Sequence, residues 1–190
     1  MTDKISDLLE KAAALAEPVV RGVDDLQLGV RTPCADYDVR DLLNHLFHVV
    51  VGFQALAAGK EADFSQTPDY LEGNWRDRFA VETGLLVEAW AAPGAEEGTT
   101  GGMNLPARTV GSMALLDLTV HPWDLARATG QDFTPDEEGI RALGALVAEM
   151  GPTARQMKVF ADPCPTPGGA TPFEELLAST GRDPYWTPNP

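Results

Sequence analysis

Apolar residues recur every three or four positions along several long segments of this chain, which is the period of an α-helix with one buried face. Glycine or proline bounds most of these segments, and no stretch alternates like a β-strand for more than a few residues. The predicted helices cover residues 3–20, 38 to the stop at Gly59, 75–92, 109–129, 134–150 and, briefly, 173–179. In a chain of 190 residues this pattern predicts an all-α fold with a single domain over residues 1–190. The expected architecture is an antiparallel four-helix bundle with additional C-terminal helices and an irregular tail.

Local signals sharpen the ends of these helices. Asp38 is a good N-cap, with Asp41 three residues later, and Gly130 is a good helix stop. The polar stretch 60–73 predicts a loop, and the glycine-rich stretch 98–109 is free to bend, extend or cover a neighbouring surface.

The balance of charges narrows the possible partners. Hydrophobic residues make up 44% and charged residues 23%, as in a globular protein, and the net charge is −15. A surface this acidic repels nucleic acid and anionic lipid, so we expect neither as a partner. No apolar run has the length of a membrane span, and we expect a cytoplasmic protein that is a monomer or a homodimer.

The three histidines fall on two predicted helices. His45 lies at the edge of the buried face of its helix, and His48 lies a step further round, toward solvent. On the helix over 109–129, Asp117 and His121 are four residues apart and share one face within an apolar stretch. Because a buried carboxylate needs a cation or hydrogen-bond donors, His45, Asp117 and His121 form a candidate metal site. Two imidazoles and one carboxylate are the ligand set of a catalytic zinc site, which also suits iron or nickel.

Plainer interpretations exist for the same residues. A histidine beside an apolar face is often a hydrogen-bonded core residue, and an Asp–His pair four residues apart is often a simple ion pair. Asp124 either orients a ligand from behind or is a solvated acid, with the solvated position preferred. His48 is a further optional supporting residue.

Two cysteines, Cys34 and Cys164, are too few and too far apart to indicate a disulfide framework. We expect both to be free thiols, and nothing in their flanking residues assigns either of them a role.

Three motifs resemble one known family. The stretch TPCADYDVRDLLNHL resembles the helix-entry motif of the DinB-like superfamily, in the branch of mycothiol-dependent maleylpyruvate isomerase and its short actinobacterial relatives. LLDLTVHPWDLARATG resembles the second motif of that branch, and GRDPYW resembles its C-terminal signature. The resemblance implies a four-helix bundle with a divalent metal held by His45, Asp117 and His121, zinc being the first candidate and nickel or iron the alternatives.

The resemblance also implies thiol chemistry. A metal in such a site binds a low-molecular-weight thiol, with mycothiol as the expected cosubstrate, and presents its thiolate to a small electrophile. Water or thiolate would take the open position, and no other catalytic group is identifiable. The chain ends near residue 190 without the additional C-terminal domain of the isomerase, so we expect an S-transferase or isomerase acting on an electrophile other than maleylpyruvate. The alternatives are a metal-binding or stress-response module without turnover, and a bundle whose site is empty.

Overall fold

The computed structural model describes residues 3–102 and 104–188, and within them the chain is mostly helical. Six α-helices are present: α1 (Ile5–Gly22), α2 (Val39–Ala57), α3 (Trp75–Ala91), α4 (Ala107–Thr129), α5 (Glu137–Gln156) and α6 (Pro172–Ser179). A single 3₁₀ turn covers Asp25–Gln27. The predicted all-α fold is confirmed.

The first four helices enclose one core. α1 and α2 each pack against both α3 and α4, and all four contribute to one continuous cluster of buried apolar side chains. α5 packs against α4, and α6 packs against α5, so the two C-terminal helices cover one side of α4. α4 is therefore flanked on several sides, and fifteen of its residues are buried.

α2 begins where its sequence predicts. The Asp38 carboxylate accepts a hydrogen bond from the Asp41 backbone N–H (2.9 Å), and the Asp41 carboxylate accepts one from the Asp38 N–H (3.4 Å). This reciprocal cap fixes the first turn and hence the direction in which His45 leaves the helix two turns later. α4 ends at Gly130, whose left-handed conformation (φ 72°) terminates it as predicted.

Two elements differ from the sequence expectations. α5 continues through Pro152 to Gln156 instead of ending near residue 150. Proline removes only one backbone donor from the helix. The extra turn contacts the end of α6, because the Arg155 guanidinium donates to the Ser179 carbonyl (3.4 Å). The glycine-rich segment forms a small antiparallel hairpin of β1 (Thr99–Thr100) and β2 (Leu105–Pro106), too short to show any alternation.

The predicted loop over 60–73 has no regular secondary structure and lies along α2. The Asn44 side-chain oxygen accepts a hydrogen bond from the Tyr70 N–H (2.6 Å), and the Phe64 ring lies against Gly52, where a larger residue would collide with it. The loop is therefore a packed covering of α2.

In the ranges 3–102 and 104–188, none of the helices combines the length and the apolar character that crossing a bilayer requires.

Candidate metal centre

Two helices bring three metal-ligating side chains to one point. His45 comes from the middle of α2, and Asp117 and His121 come from successive turns of α4. One ligand atom from each of the three lies within 4.8 Å of the other two. Nε2 of His121 is 3.4 Å from Oδ1 of Asp117, and the His45 and His121 rings meet edge to face with centroids 4.8 Å apart. The structure therefore brings together the three residues that the sequence singles out.

The cluster lies at the rim of the core. His121 is buried (6% exposed), whereas His45 and Asp117 are only partly buried, and a quarter of the Asp117 side chain is exposed. Solvent thus reaches the cluster from the Asp117 side, while the His121 ring closes it on the inside.

Asp124 is not the solvated acid that the sequence favours. Its side chain is completely buried, and Oδ2 lies 3.1 Å from Nδ1 of His121. Charge is usually placed on the surface, but here a buried arginine compensates it. The guanidinium of Arg182 donates from Nε to both Asp124 oxygens (2.9 and 3.0 Å), and its Nη2 lies 2.9 Å from Oδ2.

Arg182 is the functional candidate that the residue patterns did not reveal. It follows α6, 61 positions after His121 in the chain, and only the resemblance of GRDPYW to a family signature pointed to this segment. Its side chain is 12% exposed, and Nη1 donates to the Thr180 hydroxyl (3.1 Å). Burial is the largest single influence on the guanidinium and lowers its pKa, but the charge and hydrogen bonds of Asp124, together with Cys34 and Asp117, raise the pKa overall.

These contacts define the tautomer of His121. Both Asp124 oxygens already accept hydrogen bonds from the Arg182 guanidinium, so Asp124 faces the ring as an acceptor and the nearby Nδ1 carries the proton. In the neutral ring the Nε2 lone pair is then directed to the side where Asp117 and His45 lie. A histidine bound to a metal typically donates its other N–H to a carboxylate in this way.

The pKa values of the two histidines are shifted in opposite directions. Burial lowers the pKa of His45 to about 4, and the adjacent His121 acts in the same sense. Burial also lowers the pKa of His121, but its hydrogen bonds to Asp117 and Asp124 outweigh burial and raise it overall. In the charged ring, which carries both protons, the second proton on Nε2 faces the Asp117 carboxylate.

The turn before α2 covers one side of the cluster. The Tyr37 ring stacks on His45, with centroids 5.2 Å apart and planes inclined by 29°. The Thr32 hydroxyl donates to the Cys34 and Tyr37 carbonyls (3.0 and 2.8 Å), which fixes this turn. Tyr37 and His45 both belong to the helix-entry motif TPCADYDVRDLLNHL. This one motif therefore supplies a candidate ligand and the ring that covers it.

Cys34 lies on the inner side of the cluster. A second group of possible ligands, made of Cys34, His121 and Asp124, also falls within 4.8 Å. The Arg182 guanidinium already lies against this group, with Nη2 3.4 Å from Nδ1 of His121, so a cation has no favourable place there. Burial raises the pKa of the Cys34 thiol to about 11, which leaves it protonated at neutral pH.

His48 is not part of the cluster. Its Nδ1 lies 3.1 Å from the Tyr70 hydroxyl, and its ring packs edge to face on Phe64. His48 therefore joins α2 to the covering loop, and its ring is half-buried where the sequence predicts a position toward solvent.

The donor set of the three-residue cluster suits a divalent cation. Two imidazole nitrogens and one carboxylate oxygen match zinc, iron or nickel and leave coordination positions free for another ligand. In the described ranges, Asp117 makes its only ion-pair contact with His121, so no lysine or arginine neutralises it. These residues therefore fit the metal that the family resemblance implies.

Comparisons with known proteins identify the family of this chain. Residues 9–126 match the family described as mycothiol maleylpyruvate isomerase N-terminal domain, a range that contains all three candidate ligands. Two relatives from strains of Mycobacterium tuberculosis, the uncharacterized proteins MT0763 and Rv0738, are each 34% identical over 165 residues, which is 82% of this chain and 85% of theirs.

Solved structures support the same fold. The crystal structure of the mycothiol-dependent maleylpyruvate isomerase superposes with a TM-score of 0.52, and that of a histidine-to-alanine mutant of the enzyme with 0.54. Both are 15% identical to this chain, and each alignment covers 77% of it and 69% of the isomerase. At this identity the likeness concerns the fold, which is the all-α DinB-like fold. The chain belongs to the mycothiol maleylpyruvate isomerase N-terminal domain family.

Proposed function

We propose that this protein is a divalent-metal-dependent enzyme that uses a low-molecular-weight thiol of the mycothiol type to modify a small electrophile, as an S-transferase or an isomerase. One observation carries the proposal: ligand atoms of His45, Asp117 and His121 converge within 4.8 Å at the solvent-accessible rim of the core. A cytosolic location belongs to the same proposal.

Each ligand residue has a distinct part in holding the ion. His121 offers its Nε2 lone pair because Asp124 holds the proton on Nδ1. His45 is neutral at physiological pH because burial lowers its pKa to about 4, so its ring is ready to coordinate. Asp117 supplies the negative charge and, being partly exposed, faces the side from which a substrate arrives.

Thiol activation is the chemistry that such a site supplies. A divalent cation held by two imidazoles and a carboxylate lowers the pKa of a coordinating thiol to below neutral pH and keeps it as thiolate. Cys34, the thiol that lies near this site in the described ranges, is only partly exposed, and its pKa of about 11 leaves it protonated at neutral pH. A separate thiol cosubstrate is consistent with this, and the family membership favours mycothiol.

Metal content tests the site directly. Untagged wild type, Asp117→Asn and His45→Ala are compared by elemental analysis and by competition with a chromophoric chelator for Zn²⁺, Ni²⁺ and Fe²⁺. We expect stoichiometric metal in the wild type and a loss of affinity of roughly a hundredfold or more in both variants, because even supporting residues are worth about 10–100-fold. His48→Ala is the matched control, since it removes an imidazole from the same helix outside the cluster and should retain the metal. Equal affinity in all four proteins would overturn the proposed site.

Turnover tests the chemistry. Metal-loaded wild type is incubated with mycothiol and a bimane electrophile, and conjugation is followed by fluorescence beside His121→Ala. A rate that depends on mycothiol, on the metal and on His121 supports the proposed enzyme. Metal binding with no rate above the His121→Ala control overturns it in favour of a module that binds metal without turnover.

A further inference from the structure

We propose that Arg182 is a positioning residue for the metal centre: through Asp124 it fixes the tautomer and orientation of His121. This inference rests on the proposed function, because it assigns Arg182 a role in that same site. It goes beyond it by making the segment after α6 a functional part of a centre whose ligands all lie on α2 and α4.

The chain of contacts is continuous and buried. The Arg182 guanidinium clamps both oxygens of Asp124 from Nε and Nη2, at 2.9 to 3.0 Å. Oδ2 of Asp124 in turn lies 3.1 Å from Nδ1 of His121. Asp124 is completely buried and Arg182 nearly so, which screens these charges little from one another.

Stability alone is a weak reason for such a pair. A buried ion pair costs so much desolvation that apolar side chains of similar volume often stabilise a core as well or better. Here the pair borders the one fully enclosed ligand, and its geometry has a specific effect on that ligand. Because both Asp124 oxygens accept from Arg182, Asp124 faces the ring as an acceptor, so Nδ1 keeps the proton and Nε2 presents its lone pair toward Asp117 and His45.

The forked shape of arginine matters for this role. Nε and Nη2 bind one carboxylate edge while Nη1 donates to the Thr180 hydroxyl (3.1 Å), so the plane of the guanidinium is fixed at three corners. A lysine ammonium is a point charge without a plane, so it can neutralise Asp124 but cannot set its orientation.

The backbone before Arg182 is built to direct it inward. Gly181 has a φ of 87°, and the Arg182 N–H donates back to the Leu177 carbonyl (3.0 Å), which closes α6 with a left-handed turn. A Cβ at position 181 would lie 2.5 to 2.9 Å from atoms of Ala161, so the close approach also requires glycine.

The experiment separates positioning from general packing. Zn²⁺ dissociation constants are measured for wild type, Asp124→Asn, Arg182→Lys and Arg182→Gln, together with thermal unfolding of each metal-free protein. Arg127→Gln is the matched control, because Arg127 also anchors the C-terminal segment, donating to the Trp186 carbonyl (2.6 Å), and makes no hydrogen bond or ion pair to the cluster. We expect weaker binding by roughly ten- to a hundredfold in Asp124→Asn and Arg182→Gln, a smaller loss in Arg182→Lys, and wild-type affinity in Arg127→Gln. Wild-type affinity in Asp124→Asn and Arg182→Gln would overturn the inference.

A second readout does not depend on metal binding. In metal-free wild type above the pKa of His121, nitrogen-15 chemical shifts of the ring should show the proton on Nδ1. In Asp124→Asn the amide can donate to Nδ1, so the proton should move to Nε2. A proton on Nε2 in the wild type would overturn the positioning role, even if a variant at Arg182 fails to fold. Absence of Zn²⁺ binding in the wild type would instead defeat the proposed function, and the tautomer would still decide the role of Asp124 and Arg182.

Discussion

The two sides of the His121 ring differ in burial and in how fully their polar groups are paired. On the Nδ1 side a carboxylate, a guanidinium and a hydroxyl are buried, and each is matched with a hydrogen-bond partner. On the Nε2 side the His45 imidazole and the Asp117 carboxylate face the ring at the edge of the core, with partial access to solvent. We call these the closed side and the open side.

The contrast separates groups that only orient the His121 ring from groups that are free to bind a further ligand. The closed side is buried and its Asp124–Arg182 pair is neutral as a unit, so it can orient a ring but has no unpaired charge with which to bind another charged group. The open side has two imidazoles and a carboxylate without a lysine or arginine partner in the described ranges, a donor set that suits a divalent cation. The His121 ring thus links the fully hydrogen-bonded Asp124–Arg182 pair to the candidate metal site.

The largest expected effect concerns His45, on the open side, and the pH dependence of the free energy of unfolding. The folded pKa of His45 is about 4, below its ordinary value of 6.5, so between these values the unfolded chain binds more protons than the native one. The contribution of His45 is therefore present above pH 6.5 and lost as the pH falls to about 4. We expect the free energy of unfolding of metal-free protein to fall by about 2 to 3 kcal/mol more in wild type than in His45→Gln over this range.

Chemical denaturation at pH 7 and pH 4.5 measures this difference. The raised pKa of His121 acts in the opposite sense: its contribution is present below pH 6.5 and is lost as the pH rises through the folded value. Both proteins retain the His121 ring, so the difference between their pH profiles reports His45 together with its interaction with His121. Parallel pH profiles in the two proteins would contradict a buried, neutral His45.

A substitution at Gly181 should disturb the closed side with a smaller effect. Gly181→Ala meets both a left-handed backbone, which costs about 1 kcal/mol or more, and a collision with Ala161, so we expect a loss of about 2 kcal/mol in unfolding free energy. Gly169→Ala is the control, since its φ is also positive (91°) but a Cβ there meets no atom within 4 Å. Equal losses in the two variants would show that the close approach to Ala161 is unimportant.

The reactivity of Cys34 should show that its thiol, which lies beside His121 and Asp124, is protonated and shielded. With a pKa of about 11, its thiolate fraction at pH 7.5 is far below that of an ordinary thiol, and the greater nucleophilicity of a basic thiolate offsets only part of this. We expect alkylation by iodoacetamide roughly tenfold slower or more in the native protein than in the denatured chain. Peptide mass spectrometry over time measures the rate, and identical rates in both states would exclude a buried thiol.

The open side could be predicted from local patterns, and the closed side could not. The spacing of four between Asp117 and His121 places both on one helical face in any α-helix, and His45 follows from the apolar face of α2. Asp124 sits on a neighbouring face, but its burial depends on a partner 58 residues later in the chain, which no local period encodes. A charged residue without a visible partner is predicted to lie in solvent, and this interpretation was wrong for Asp124.

The same limit applies to the fold. Long helices with strong caps, such as the one that begins after Asp38, were predicted to within a residue or two. The continuation of α5 beyond Pro152 depends on contacts with α6, and the two-residue strands of the hairpin depend on one turn. Short or tertiary features of this kind leave little periodic signal.

The position of Arg182 in the chain has a consequence for biosynthesis. His121 leaves the ribosome 61 residues before the guanidinium that completes its setting, an interval of roughly 3 to 12 s at ordinary rates of translation. During that interval Asp124 lacks its guanidinium partner, so the contacts that orient the imidazole are incomplete. The setting of His121 is therefore acquired only after the segment that follows α6 has docked.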